Sequence, residues 1–381
     1  MKKIKKFILM LAAAGLAGML AGCDTSSSSG GGEPETPVVT ESVFELTADG
    51  IKLNGVLLEK TADKKIMESA VTTTGSDFVD SSAASDYQGV FINGRNVTLS
   101  PFIMGKYEVT QELYQAVMTD QKVTVDGTEY TLAAEPSDCS DGSTKYVIAE
   151  GETQKYRPVE RVTWYDAVYF CNVLSEKLNL TKAYTIEVTR VNSNHITGAT
   201  VTTVANANGY RLPTEAEWEF AVRGGDPTAE AWNYLFSGAA TGKVSTADDA
   251  EEAIYSSTKN TGLDSVGWYL YNIANGTTSV ATISPGTAGY GTHEVGKKAA
   301  NLLGLYDMSG NLWEWCYDWY SNSLETGDVT DPTGASSGSD RVSRGGSWNH
   351  GAILATVCYR YYNTPDGRYY DLGFRVCRSA N

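Results

Sequence analysis

The side chains of this 381-residue sequence best suited to nucleophilic or metal chemistry are six cysteines and three histidines, and their spacing equips none of them for it. Cys23, Cys139, Cys171, Cys316, Cys358 and Cys377 contain no Cys-x-x-Cys step, which removes the zinc-knuckle and thioredoxin-like readings. Cys171 and Cys316 lie inside apolar patterns, as buried thiols do. His195, His293 and His350 stand far apart and make no ligand spacing. What the chain offers instead is contact chemistry. From Asn349 to Asp371 the sequence is rich in Tyr, Asn, Gly and Asp, with tyrosines at 359, 361, 362, 369 and 370. Tyrosine gives large amphipathic contact area at low entropic cost, and small polar residues give adaptable hydrogen bonds. A solvated loop with tyrosines on the core edge is the alternative reading of the same composition.

A compositional gap favours the first reading. From Asn349 through Phe374 there is no Lys, Glu, Gln, Met or Trp, types that make up roughly a fifth of average usage. These five cannot be reached by replacing adenines in an Asn codon, whereas Tyr, His, Asp, Gly, Ile, Leu and Thr can. The window has the composition that adenine-directed mutagenesis would leave.

Two ends hold this segment. Arg341-Val-Ser-Arg344 and Gly373-Phe-Arg-Val376 alternate charged and apolar residues, predicting strands with one face on a core and one in water. Gly345 and Gly346 allow a bend or bulge between strand and loop. Further back, Gly89 to Leu99 predicts a hairpin turning at Asn93-Gly94, Phe102 to Val109 a strand, and Thr110 the cap of a helix to about Met118. Val123 to Leu132 predicts a hairpin around Asp126-Gly127, and Tyr184 to Val204 a second inserted one. Thr163 with Asp166, and Thr214 with Glu217, form capping boxes ahead of helices, the latter ended by Gly224-Gly225. Asp226 to Asn260 reads as a surface insertion. Two main helices among many short strands make an α+β domain. One large domain is expected, residues 43–88 being its strand-rich N-terminal part and 89–381 its body.

The first residues give an address. Lys2, Lys3, Lys5 and Lys6 precede the apolar run Phe7 to Leu20 and then Leu20-Ala-Gly-Cys23, which resembles a bacterial lipoprotein signal. Residues 1–22 would be cleaved and Cys23 acylated; the apolar run is short of the roughly 20 residues that a span needs. Residues 23–42, with their Ser/Gly run, read as a flexible tether. The expected location is the bacterial outer membrane, lipid-anchored, at the cell surface. A formal charge of −16, more negative once four lysines leave with the leader, argues against nucleic acid as a partner.

Four blocks together carry a resemblance: Arg211-Leu-Pro-Thr-Glu-Ala-Glu-Trp-Glu219, Gly304-Leu-Tyr-Asp-Met-Ser-Gly-Asn-Leu-Trp-Glu-Trp315, Arg344-Gly-Gly-Ser-Trp348 and Gly373-Phe-Arg-Val376. In this order they resemble the formylglycine-generating enzyme, or sulfatase-modifying-factor, family, which implies its variant of the C-type lectin fold with small twisted antiparallel sheets. The family's copper-binding cysteine pair would fall, counting from Trp348, at His350 and Ala355, so the resemblance implies a chain without that oxidase chemistry. It also implies a structural calcium, held by the Asp307 and Glu314 side chains and the Gly310 and Leu312 carbonyls. Turn capping, or pairing of those carboxylates with arginines, is the alternative, and no cofactor is otherwise required.

Within the family, the tail is similar to the variable proteins of diversity-generating retroelements. With Ala355, Cys358, Arg360, Pro365 and Arg368 as framework, this resemblance places the diversified, ligand-contacting positions at His350, Gly351, Ile353, Leu354, Tyr362, Asn363, Gly367, Tyr369, Tyr370 and Asp371. The implied partner is a protein or glycan. The rival functions are a divergent oxidase using Cys358 and an invariant carbohydrate-binding lipoprotein.

Overall fold

The computed structural model describes residues 42–76, 87–240, 260–273 and 284–380. The leader, Cys23 and nearly all of the tether lie outside the described residues, and Ser42–Asn381 forms one compact unit.

Three of the helices start where the sequence places their caps, whereas the short helix Thr261–Val266, capped by Asn260, was not expected. Thr110 accepts from the Leu113 N–H at the start of α1 (Gln111–Met118). Thr163 and Asp166 close a capping box on α2 (Trp164–Lys177), and Thr214 and Glu217 do the same for α3 (Glu215–Val222). Each box satisfies backbone N–H groups that a helix start leaves orphaned. The apolar faces of α1 and α2 meet in a core that includes Tyr114, Trp164, Phe170, Trp315 and Phe374. Helix α3 contributes Trp218 and Phe220 to a second cluster with Phe91, Met308 and Val342.

Small sheets surround these helices. The two expected hairpins form, Lys122–Val125 with Thr128–Thr131 and Tyr184–Asn192 with His195–Thr203. Residues 43–76 are hydrogen-bonded into the body, since Asp63–Lys65 pairs with Phe102–Gly105 and Val71–Thr74 with Arg95–Leu99. The sheet that positions the C-terminal segment has the order Arg360–Asn363, Arg341–Arg344, Trp313–Trp319, Leu372–Gly373. Its last pair is parallel, so this sheet is mixed where an antiparallel one was expected.

Four expectations differ from the structure, each for a physical reason. Gly89 to Leu99 is not a hairpin: only Arg95–Leu99 is strand, and it pairs with Val71–Thr74 and with Gly327–Thr330. The preceding residues are held by the buried Glu219 carboxylate, which accepts from the Val90 N–H at 2.8 Å. Arg341–Arg344 is a strand, but buried at all four positions instead of half-wet. Its arginines are spent internally: Arg341 lies 3.7 Å from the Trp164 ring and 3.5 Å from the Trp319 ring, and Arg344 pairs with Glu219. Phe374 to Val376 is buried chain between two short strands, with Arg375 turned inward. Finally, the described part of the 226–260 insertion is not merely surface. Leu235, Phe236 and Ala239 are buried against Leu263, Tyr269, Ala352 and Ala355, so this segment supports the C-terminal loop from below.

One buried acid sets a pH dependence. Glu160 accepts from the Cys139 N–H at 2.8 Å, and burial pushes its carboxyl up to about 8. A raised acid contributes stability that is complete below its unfolded value and is lost as pH rises through the folded one. Glu160→Gln is therefore expected to raise the melting temperature at pH 9 relative to the parent and to change it little at pH 5, as calorimetry at both values would report.

Candidate functional site

Gly345 and Gly346 turn the chain out of its strand with φ +98° and +73°. This positive region suits glycine, and a Cβ at Gly346 would lie 2.8 Å from the Ala355 backbone. Trp348 then drops into a pocket of rings, 5.0 Å from Tyr290 and 6.0 Å from Tyr146. The following loop has a 3-10 turn over Ala352–Ala355 whose two alanines are buried while Ile353 and Leu354 stay partly exposed.

The assigned positions fall into three groups. Tyr362 and Tyr369 are 42% and 44% exposed, and Tyr361, which was not assigned, is 40% exposed; they are the exposed tyrosines among the large apolar side chains of the described residues. His350, Gly351, Ile353, Leu354, Asn363, Gly367 and Tyr370 are half-buried. Asp371 is buried, accepts from the Ser347 hydroxyl at 3.1 Å and therefore sits in the floor rather than on the face. His350 shares that floor, with Nδ1 2.7 Å from the Ser347 oxygen. Burial lowers the pKa of His350 and raises that of Asp371.

Residues from outside the segment support the face, Trp313 and Tyr146 from buried positions beneath it and Tyr320 from a half-buried one, and sequence reasoning missed them. Trp313 stacks on Tyr361 at 5.0 Å, Tyr361 on Tyr362 at 5.7 Å, and Tyr320 meets Tyr362 at 4.2 Å. On the other side, Tyr146 stacks on Tyr370 at 5.7 Å with Lys145 over both rings. The only signal for Tyr320 was its place beside Asp318-Trp319, and Tyr146 carried none. The result is a surface with Tyr361, Tyr362 and Tyr369 exposed over a layer of buried rings, suited to apolar and hydroxyl contacts.

The face offers little to a reaction. Cys139, Cys171, Cys316, Cys358 and Cys377 are free and buried, and burial pushes Cys358 up to about 11, where it is a neutral thiol at physiological pH. Ala355 is packed against Gly346, and His350 is engaged by Ser347 and by the Trp313 indole at 3.3 Å.

Of the expected calcium ligands, the Glu314 carboxylate is already engaged by other side chains. Both oxygens of Glu314 bind Arg375, at 2.6 and 2.7 Å, and one also accepts from the Trp218 indole at 2.7 Å, so the alternative reading of arginine pairing holds for this carboxylate. Asp307 accepts from the Gly296 N–H at 2.7 Å while its other oxygen is buried without a partner, and burial pushes it up to about 6. Chelation with EDTA is accordingly expected to leave the melting temperature unchanged; a fall that added calcium reverses would contradict it.

Comparison with known proteins bears on the fold and the family. A family model described as the sulfatase-modifying factor enzyme 1-like domain matches residues 57–380. The chain is 34% identical over 324 residues to the chaperone protein LppX of Paenibacillus barcinonensis, covering 82% of this chain and 94% of that one. It is 30% identical over 297 residues to a formylglycine-generating enzyme of Thermomonospora curvata, covering 74% and 83%. Among solved structures, Treponema denticola variable protein 1 matches with a TM-score of 0.57 at 31% identity, covering 83% of this chain and 99% of that one. With the family model spanning most of the sequence and these identities running over most of each chain, this protein belongs to the sulfatase-modifying factor enzyme 1-like domain family.

Proposed function

We propose that the chain is a surface-displayed lipoprotein of the outer membrane, anchored through Cys23, that binds protein or glycan ligands through a C-terminal face diversified by a retroelement and performs no chemistry. The observation that carries this reading is the division of labour within one segment. Ala352, Ala355, Val357, Cys358 and Arg360 are buried, while Ile353, Tyr362 and Tyr369 between and beyond them reach solvent. Exposed substitutions usually cost within about 0.5 kcal/mol, so such positions can be rewritten without unfolding the domain. The likeness to a variable protein supports the diversified face. The buried neutral Cys358 speaks against the oxidase reading.

Sequencing the locus in several isolates tests it. Changes confined to the Asn349 to Asp371 window, beside a near-repeat differing at adenines, are expected; a uniform locus would leave an invariant binding protein instead.

A further inference from the structure

A cavity of about 580 Å³ opens between the start of α3, the end of the Trp313–Trp319 strand and the 321–336 segment, and no role above uses it. Its wall is charged and buried, yet unevenly paired. Glu215 is taken by Arg360 through two bonds of 2.7 and 2.8 Å. Glu219 is taken by Arg344 and Arg223. That leaves Arg95, 5% exposed, with no carboxylate partner among the described residues. One of its terminal nitrogens donates to the Val90 carbonyl at 2.7 Å, and its Nε is buried without any acceptor. Asp318 does not neutralise it. That carboxyl accepts from the Glu215 N–H at 2.9 Å, and burial, with Glu215 beside it, pushes it up to about 8, so at pH 7 it is largely a neutral acid with a proton to donate. Of the other acids on the wall, Asp331 spends its oxygens on Ser100 and Glu325 stands exposed.

One buried guanidinium on the wall is therefore left without a carboxylate of its own, and the lining from the 321–336 segment adds serine and threonine hydroxyls, most of them exposed. A buried cation without a partner is costly, and a carboxylate matches the planar guanidinium better than any neutral group. We propose that this cavity binds a small carboxylate-bearing polyol, of the size and chemistry of a sugar acid, with its carboxylate on Arg95 and its hydroxyls on Asp318 and the serine and threonine lining. This site is made of residues outside the diversified segment except Arg360, so it stands or falls separately from the face described above.

Titration calorimetry of the full-length chain with glucuronate, glucose and inorganic phosphate at pH 7 tests the proposal. Glucuronate is expected to bind at least tenfold more tightly than either of the others. Arg95→Gln should abolish that preference and Arg95→Lys keep part of it. Because a buried arginine variant can fail to fold, Ser336→Trp at the exposed edge of the cavity provides a second test and should block glucuronate with the melting temperature retained. Tyr369→Ser should leave glucuronate binding unchanged. Equal binding of glucose or phosphate, absence of glucuronate binding, or parental binding by the folded Arg95→Gln or Ser336→Trp protein would overturn the assignment.

Discussion

Arg375→Met is expected to destabilise the domain by about 3–5 kcal/mol, a loss comparable to the whole stability of many domains. Arg375 and Glu314 are both fully buried and share two bonds, and Arg375 also donates to the Gly105 and Tyr306 carbonyls at 3.1 and 2.9 Å. The magnitude comes less from the attraction lost than from the charge left behind. Glu314 without its partner would be an ionised carboxylate in the core, close to Asp307 and Glu108, which already repel one another. Glu314→Gln in the Arg375→Met background should recover part of the loss, because a neutral amide keeps an acceptor for the Trp218 indole and removes the stranded charge. Denaturant midpoints of the parent, single and double variants measure this; a single variant within about 1 kcal/mol of the parent would show that the pair is not structural.

Gly346→Ala is the second large effect. A side chain at φ +73° is strained, and its Cβ would sit 2.8 Å from the Ala355 Cα, the Ala355 N and the Leu354 O. Those are backbone atoms of the turn that holds Ile353 and Leu354, so the clash cannot be relieved by rotating a side chain. Left-handed strain alone costs about 1–3 kcal/mol, and displacing the turn would add to it. The expected result is a clear fall in melting temperature together with faster amide exchange over residues 350–359. By contrast Gly351→Ala meets open space and should be silent. Equal behaviour of the two variants would show that the turn does not depend on this contact.

The helices were legible because capping is a local code. Thr163 with Asp166 and Thr214 with Glu217 specify a helix start within four residues, whatever packs later. The hairpin at Asp126-Gly127 was legible for the same reason, with both turn residues at positive φ. What the sequence hid was long-range. An arginine reads as a surface residue until a carboxylate is found for it, and Glu219 lies 125 positions from Arg344 and 61 separate Arg375 from Glu314. The same holds for the face. Tyr362 and Tyr369 announce themselves by type and neighbourhood, but Trp313, Tyr320 and Tyr146 come to underlie Tyr361, Tyr362 and Tyr370 only because the sheet and the 140–146 segment bring them there. Asp371 looked like one more polar loop residue, and only the fold shows it beneath Ser347.

The central claim is that one segment carries replaceable side chains on a backbone fixed by its neighbours. Calorimetry of a triple variant, Ile353→Thr with Tyr362→Ser and Tyr369→Ser, set against the single variant Tyr359→Ser, tests it within twenty residues of chain. Tyr359 is 8% exposed and packs against Tyr87 and Trp313. The three changes, two at exposed tyrosines and one at half-buried Ile353, together should cost at most about 1.5 kcal/mol, whereas the one buried truncation should cost about 3–5 kcal/mol. A triple variant that melts as low as Tyr359→Ser would mean that these side chains hold the fold instead of decorating it, and no interchangeable surface would exist.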